Sequence, residues 1–405
     1  MIPFSPPRMD QVTVDEVSKV LLSGWITTGP RTKLFEEKIS EYVGCRKTIC
    51  LNSATAGMEL VLRWFGVKAG DEVIIPAYTY CATANVVLHC GAIPVMVDVD
   101  EKDFNISVAA IRSKITSKTK AIIPVDISGL PCDYDAINSL VRESSIQALF
   151  TPATDEQKTL GRIMVMADAA HSVGSSYKGK KQGSVTDVAV FSFHAVKNLT
   201  TAEGGAVCMN FPDRLDTDEI YKKLNTKSLH GQSKDALAKT QGNGSAWRYD
   251  VVEPGYKCNM MDIQAAIGLV ELDRYDDNLN RRKDIFAHYT NAFSSHNWAI
   301  LPTYLNDEKE SSYHLYMIRI KGATEDQRDQ IIQEIFAQEV AVNVHFQPLP
   351  LLTAYKNLGY KMEDYPEAFN KYANEISLPV YYDLNDEQLE QVSTAVINAV
   401  HKILG

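Results

Sequence analysis

Seven short apolar runs punctuate the first two-thirds of the chain, and their alternation with helical patterns constrains the fold more than any other feature. They are KTICL (47–51), EVIIP (72–76), PVMVDV (94–99), AIIPV (121–125), RIMVMAD (162–168), VAVFSF (188–193) and GAVCM (205–209). Most carry no polar interruption, the pattern of strands covered on both faces. Amphipathic stretches such as GMELVLRWFG and DYDAINSLVRES lie between several of them. This predicts an α/β architecture around a mainly parallel seven-stranded sheet. Residues 144–161 read as a surface insertion, and 228–256 as a polar connection long enough to be functional or mobile. NMMDIQAAIGLVELDRY opens a long helix. From about 275 a separate pattern begins, with HLYMIRI, VAVNVHF and a closing amphipathic helix, DEQLEQVSTAVINAVHKIL, whose stripe reads as ordinary core. The division is a large domain, 1–274, and a smaller α/β domain, 275–405.

Composition removes several function classes. A formal net charge of -10 disfavours nucleic-acid polymers and anionic membranes as partners. No apolar run reaches spanning length and the N-terminus has no signal-peptide core, so a cytoplasmic protein is expected. The seven cysteines form no C-x-x-C pair and read as reduced thiols. The sequons at Asn105, Asn198 and Asn243 then read as chance matches. No metal-ligating motif occurs. GSSYKGKK (174–181) imitates a P-loop but ends in Lys where a hydroxyl is needed, and it does not open a helix.

The chemistry sits at strand ends. Asp168 closes RIMVMAD, where open parallel sheets place their ligands. Alone it reads as a helix N-cap. Lys197 follows the next strand, between FSF and the Gly204-Gly205 pair. Alone it reads as a loop lysine. Together they define a sharper possibility. A desolvated lysine has a depressed pKa and a nucleophilic amine. Pyridoxal phosphate requires such a lysine and a carboxylate at its ring nitrogen. LNSATAGMEL (51–60) runs from strand through a small-residue turn into a helix, so Ala54 and Thr55 can offer N–H groups to a phosphate. Ser192 adds a hydroxyl. Tyr80, after EVIIPAY, could stack on a flat ring, although a lone aromatic is more often packing.

Five segments then occur in a fixed order: GWITTGPRTKLFEEKISEYVG (24–44), NSATAGMEL (52–60), ADAAHSVGSSYKGKKQG (167–183), FSFHAVKNLTTAEGGAV (191–207) and VVEPGYKCNMMDIQAAIGL (251–269). Together they resemble the DegT/DnrJ/EryC1/StrS family of sugar aminotransferases, over nearly the whole chain. Within it the likeness is to enzymes that aminate C4 of UDP-4-keto sugars, such as the UDP-4-amino-4-deoxy-L-arabinose type. The resemblance implies the type I fold of pyridoxal-phosphate transferases, like aspartate aminotransferase. It implies that Lys197 binds the cofactor and carries the proton, and that Asp168 pairs with the ring nitrogen. Tyr80 would stack on the ring, and His171 would sit near its hydroxyl. Ala54, Thr55 and Ser192 would hold the phosphate. Asn259 would reach the phosphate of a partner subunit in a homodimer with shared active sites, and the 228–256 loop would help cover the neighbour's site. His345 would lie near the sugar.

The implied reaction takes an amino group from L-glutamate to a nucleotide sugar for a surface polysaccharide or glycan. The alternatives are a sugar dehydratase or a C3 aminotransferase of the same family. A dehydratase of the family replaces the lysine by histidine, and Lys197 argues against it. A protein that only binds would need neither Lys197 nor Asp168.

Overall fold

The structure, a computed structural model, describes residues 1–233 and 249–405. The apolar runs become β1 (Lys47–Leu51), β2 (Glu72–Pro76), β3 (Ile93–Val97), β4 (Thr119–Ile122), β5 (Met164–Asp168), β8 (Val188–Ser192) and β9 (Gly205–Met209), with a small hairpin of β6 (Ser176–Tyr177) and β7 (Lys180–Lys181). One seven-stranded sheet holds the larger strands in the order β1-β9-β8-β5-β4-β2-β3. The pairs from β8 to β3 are parallel, and β9 lies antiparallel between β1 and β8. The α/β expectation and its mainly parallel sheet therefore hold. Strand ends differ by a few residues. β4 stops at Ile122, ahead of Pro124, which has no N–H for a ladder. β3 stops at Val97, and the Asp98 carboxylate takes the Val99 N–H instead.

Helices α1 (Gln11–Ser23), α2 (Pro30–Val43), α3 (Ala54–Trp64) and α4 (Cys81–His89) follow in the first third. Ser53 caps α3, and its buried Met58, Val61 and Leu62 belong to the main core. The long helix expected after residue 259 is two helices, Asp262–Asp273 and Tyr275–Phe293. They break at Arg274, whose guanidinium is tied to Glu271, Asp10 and the Arg8 carbonyl. Residues 144–161 lie mostly at the surface, and they are helical. They fold as Ser144–Leu149 and Asp155–Leu160, with Thr154 capping the second. Gln157 is fully buried and donates to the Phe65 carbonyl at 2.8 Å, which fixes this segment under the C-terminal end of α3. Of the 228–256 connection, residues 234–248 lie outside the described residues.

The C-terminal part has its own sheet, β10 (Ala299–Ile300), β12 (Tyr316–Ile320) and β13 (Glu375–Leu378), while β11 (Lys309–Glu310) joins the β6 hairpin. Its core packs Phe286, Tyr289, Phe293 and Tyr316 with the inner face of Asp386–Leu404, so that last stripe is core. Ile2 joins this core, while Leu349 and Tyr355 pack on the main one. Among the described residues no helix is long and apolar enough to cross a membrane. All seven cysteines are free thiols. Asn105 and Asn198 are buried with bonded side chains, in keeping with chance sequons, and Asn243 lies outside the described residues.

One buried ion pair locks the two strands that carry the site. Arg162, just before β5, makes two bonds of 2.7 and 2.6 Å to Asp187, just before β8. Asp187 also accepts the Val165 N–H, and both side chains are almost fully buried. Arg162→Ala leaves a buried carboxylate uncompensated and is expected to cost about 3–5 kcal/mol, read as a lowered midpoint in chemical denaturation.

Candidate active site

The C-terminal ends of β8 and β5, the start of α3 and residues around 345 enclose a cavity of about 410 Å³. Its walls include Ala54, Thr55, Tyr80, Asp168, His171, Ser192, Lys197 and His345. Of the residues singled out in the sequence, only Asn259 is outside it.

Sheet order explains the convergence. β5 and β8 are neighbours, and Asp168 pairs with Val190 two residues before the end of β8. After Ser192 the chain turns back on itself. Phe193 donates to the Gly204 carbonyl and receives the Thr201 N–H, and Lys197 donates its own N–H to His194. This closed loop brings Lys197 back to the cavity. Burial pulls its amine down to about 8, and the nearby Asp168 charge limits the fall. Asp168 is 5 % exposed. Burial pushes its carboxyl up, opposed by the Thr83 hydroxyl at 2.7 Å, the Ala170 N–H at 3.3 Å and the Lys197 charge. A carboxylate so placed favours a cationic partner.

A second feature is built from backbone. β9 runs against both neighbours, so its first residue meets their last ones: Gly205 pairs with Leu51 on one side and Ser192 on the other. Here α3 starts. Ser53 takes the Ala56 and Gly57 N–H groups, and those of Ala54 and Thr55 have no protein partner among the described residues. A Cβ on Gly205 would lie 2.3 Å from the Ala54 nitrogen. Only glycine lets β9 approach the helix start this closely. Two open N–H groups beside a serine hydroxyl form an anion cradle.

His171 is buried, and its Nδ1 has no protein hydrogen-bond partner. Burial, with the Lys197 charge, holds the ring neutral, well below the usual histidine range. Its ring lies 5.7 Å from Phe346 and 4.3 Å from His314. Tyr80 is 60 % exposed at the mouth, 5.8 Å from Phe346. His345 stacks on Phe4 at 5.4 Å and bonds through Nδ1 to Ser377 at 3.0 Å. Asn259 donates to Thr28 at 2.6 Å and accepts from Lys257, away from this chain's cavity.

Several residues of the site went unnoticed in the sequence. Thr83 is four residues after Thr79 on α4, and their hydroxyls meet at 2.9 Å. That spacing in AYTYCAT was the available signal. Asn198 bonds to His314 at 2.7 Å and to the Ser312 carbonyl, so the residue after the lysine anchors this loop to the C-terminal part. Phe346 and His314 carried no local signal.

A lysine amine near neutrality, a buried carboxylate and an anion cradle around one cavity define the site of an aminotransferase-type enzyme. The chain belongs to the DegT/DnrJ/EryC1/StrS aminotransferase family, whose model matches residues 7–397. An uncharacterized protein of Methanocaldococcus jannaschii, MJ1066, is 40% identical over 405 residues, 100% of this chain and 97% of the relative. The spore coat polysaccharide biosynthesis protein SpsC of Bacillus subtilis is 36% identical over 98% of this chain and 97% of its own. Among solved structures, the putative sugar aminotransferase Spr1654 from Streptococcus pneumoniae in its PMP-form superposes with a TM-score of 0.96, at 47% identity and 100% coverage of both chains. Its PLP-form gives 0.95 at 46% identity, again over 100% of each chain. The fold is thus the type I fold of pyridoxal-phosphate transferases.

The residues present fit pyridoxal phosphate. The glycine-lined cradle suits its phosphate, the orphaned His171 Nδ1 has the polarity for its ring hydroxyl, and Asp168 suits a protonated ring nitrogen. Two outcomes follow from the electrostatics. Competitive acylation of the cofactor-free protein is expected to label Lys197 with a midpoint near 8, its reactive neutral form growing as pH rises. Asp168→Asn removes the charge that supports the ammonium, so the midpoint moves lower still. Thr83→Val removes a donor to Asp168 Oδ2 and is expected to weaken cofactor retention about tenfold, roughly the worth of a hydrogen bond to a charged group, read by equilibrium dialysis.

Proposed function

We propose that this protein is a pyridoxal-phosphate aminotransferase that moves an amino group from L-glutamate to the 4-keto group of a nucleotide sugar, a UDP sugar by its resemblance to the C4-aminating enzymes. The observation that carries the reading is Asp168 at the end of β5 and Lys197 in the loop after the neighbouring β8, both lining one cavity with an anion cradle at its other wall. When bound, pyridoxal phosphate supplies an aldehyde that condenses with amines and a ring that accepts electrons. Asp168 holds the proton on the ring nitrogen. Ala54 and Thr55 N–H groups and the Ser192 hydroxyl would bind the phosphate. Tyr80 would stack on the ring, and His171 would sit near its hydroxyl. Lys197 Nζ takes the proton from the α-carbon of the donor and returns a proton to C4 of the sugar. An amine with a pKa near 8 does both at neutral pH.

A homodimer that shares its sites is part of this reading. Asn259 points away from its own cavity, and α1 exposes Val12, Val14, Leu21 and Leu22, an apolar surface of the kind a second copy covers. A surface polysaccharide or glycan precursor is the proposed destination of the product, supported by the polysaccharide role that SpsC's name gives that relative. A cytoplasmic location accords with free thiols and a net charge of -10.

The test is the visible spectrum of the protein loaded with pyridoxal phosphate, before and after L-glutamate. The yellow absorption is expected to collapse and to return when a UDP-4-keto sugar is added. An absorption indifferent to both would overturn the reading. Lys197→Ala is expected to remove turnover with the fold intact by circular dichroism. Mixed dimers of Lys197→Ala and Asn259→Ala subunits should regain activity beyond either parent, because one of their two sites is then free of both changes.

A further inference from the structure

A chain of hydrogen bonds runs from the core of the C-terminal part into the cavity. Glu375 opens β13 and is fully buried. Its Oε2 accepts the His345 N–H at 3.0 Å, and its Oε1 meets the Ser377 hydroxyl at 2.5 Å. The same hydroxyl lies 3.0 Å from His345 Nδ1. His345 lines the cavity, and among the described residues no protein group bonds to its Nε2. The ring is held on its face by Phe4, and its carbonyl by the Tyr78 hydroxyl.

We infer that Glu375 and Ser377 are positioning residues that set the tautomer of His345, so that its Nε2 presents a hydrogen-bond donor to an oxygen of the acceptor sugar. This rests on the aminotransferase reading above. A single hydroxyl between a carboxyl and an imidazole has one proton to give. With Glu375 protonated, the carboxyl donates to Ser377, Ser377 donates to Nδ1, and the ring proton must sit on Nε2. With Glu375 ionised, Ser377 turns its proton to the carboxylate and accepts from Nδ1–H, and Nε2 becomes an acceptor. The ring stays neutral in both states. Glu375 loses one proton to solvent, and the ring proton moves from Nε2 to Nδ1.

Burial pushes Glu375 up to about 8 and, with the Lys197 charge, holds His345 down to about 4. The donor form therefore prevails at neutral pH and gives way as pH rises through Glu375. The groups facing Glu375 are Ser377 and His345 on one side, Arg319 as its register partner on β12, Arg328 from Glu325–Ala337, and Tyr78 after β2. Arg328 favours the ionised carboxylate, but burial outweighs it. A donor at this place suits a ketone or hydroxyl oxygen and disfavours a group that offers only protons.

The test is the ring nitrogen-15 spectrum of the full-length protein labelled at histidine, followed between about pH 6 and about pH 10, a range that leaves an already neutral ring uncharged. His345→Gln identifies the signals. The expected result is the Nε2–H tautomer at neutral pH, converting to Nδ1–H with a midpoint near 8. Glu375→Gln mimics the protonated acid and should hold Nε2–H throughout. Ser377→Ala should remove the transition. It should also raise KM for the keto sugar about tenfold, the scale of one hydrogen bond, with the glutamate half-reaction unchanged. Nδ1–H at neutral pH, or one titration shared by all variants, would overturn the inference. So would equal loss in both half-reactions. If no keto sugar is aminated, the functional reading fails, while the nitrogen spectra still decide the tautomer.

Discussion

The charge balance between Asp168 and Lys197 is the constraint on which the rest of the site depends. Burial acts on the two groups in opposite senses, raising the carboxyl and lowering the amine. Each partly restores the other's ionised form. Neither effect would exist on a surface loop, where solvent screens both charges. The protein therefore has to hold two ionisable side chains in one enclosed place without letting them collapse into a simple ion pair. It does so by placing Asp168 at the end of β5 and Lys197 in the closed loop after β8, with Thr83 and the Ala170 N–H occupying the carboxylate oxygens. The Arg162–Asp187 pair joins the opposite ends of β5 and β8, the strands that lead to the two groups.

The reversed direction of β9 has an equally specific consequence. A fully parallel sheet would end every strand on the same edge, leaving the cradle crowded by outgoing loops. Because β9 runs the other way, its first residue enters at that edge, between the ends of β1 and β8. The cost is steric. Any side chain at Gly205 would strike the first turn of α3, and Gly204 is confined by Thr201 and Met260. The glycine pair is thus a demand of topology, and the open N–H groups of Ala54 and Thr55 are its functional return.

What could be read in the sequence was what is local. The strands appeared as apolar runs, and Asp168, Lys197, Ser192, Ala54 and Thr55 stood out because each adjoins one. Tyr80 stood out by its place after the EVIIP strand, and His171, Asn259 and His345 came through family resemblance, since a single imidazole or amide has no pattern of its own. The residues that escaped notice act across the chain. Thr83 reaches Asp168 from helix α4, His314 meets Asn198 across more than a hundred residues, and Phe346 packs on His171 from the C-terminal part. The anchoring of 144–161 is of the same kind: most of the segment lies at the surface, and Gln157 is buried because a distant carbonyl at Phe65 accepts its amide.

The two structural parts divide the chemistry between them. The large sheet supplies the cradle, the lysine and the carboxylate, groups that would serve any amine exchange. The C-terminal part supplies His345, His314 and Phe346, which face the remaining wall. Their settings come from inside that part's core, as the Glu375 carboxyl and the Ser377 hydroxyl on β13 show. On the proposed reading, a substitution in this core would alter which substrate oxygen is recognised without touching substrate or cofactor. The N-terminal segment tightens the link, since Ile2 pairs with the backbone at Glu339 and Ala341 while Phe4 lies on the His345 ring. On the proposed reading, selectivity for the acceptor would follow from packing in one part of the molecule, and reactivity from electrostatics in the other.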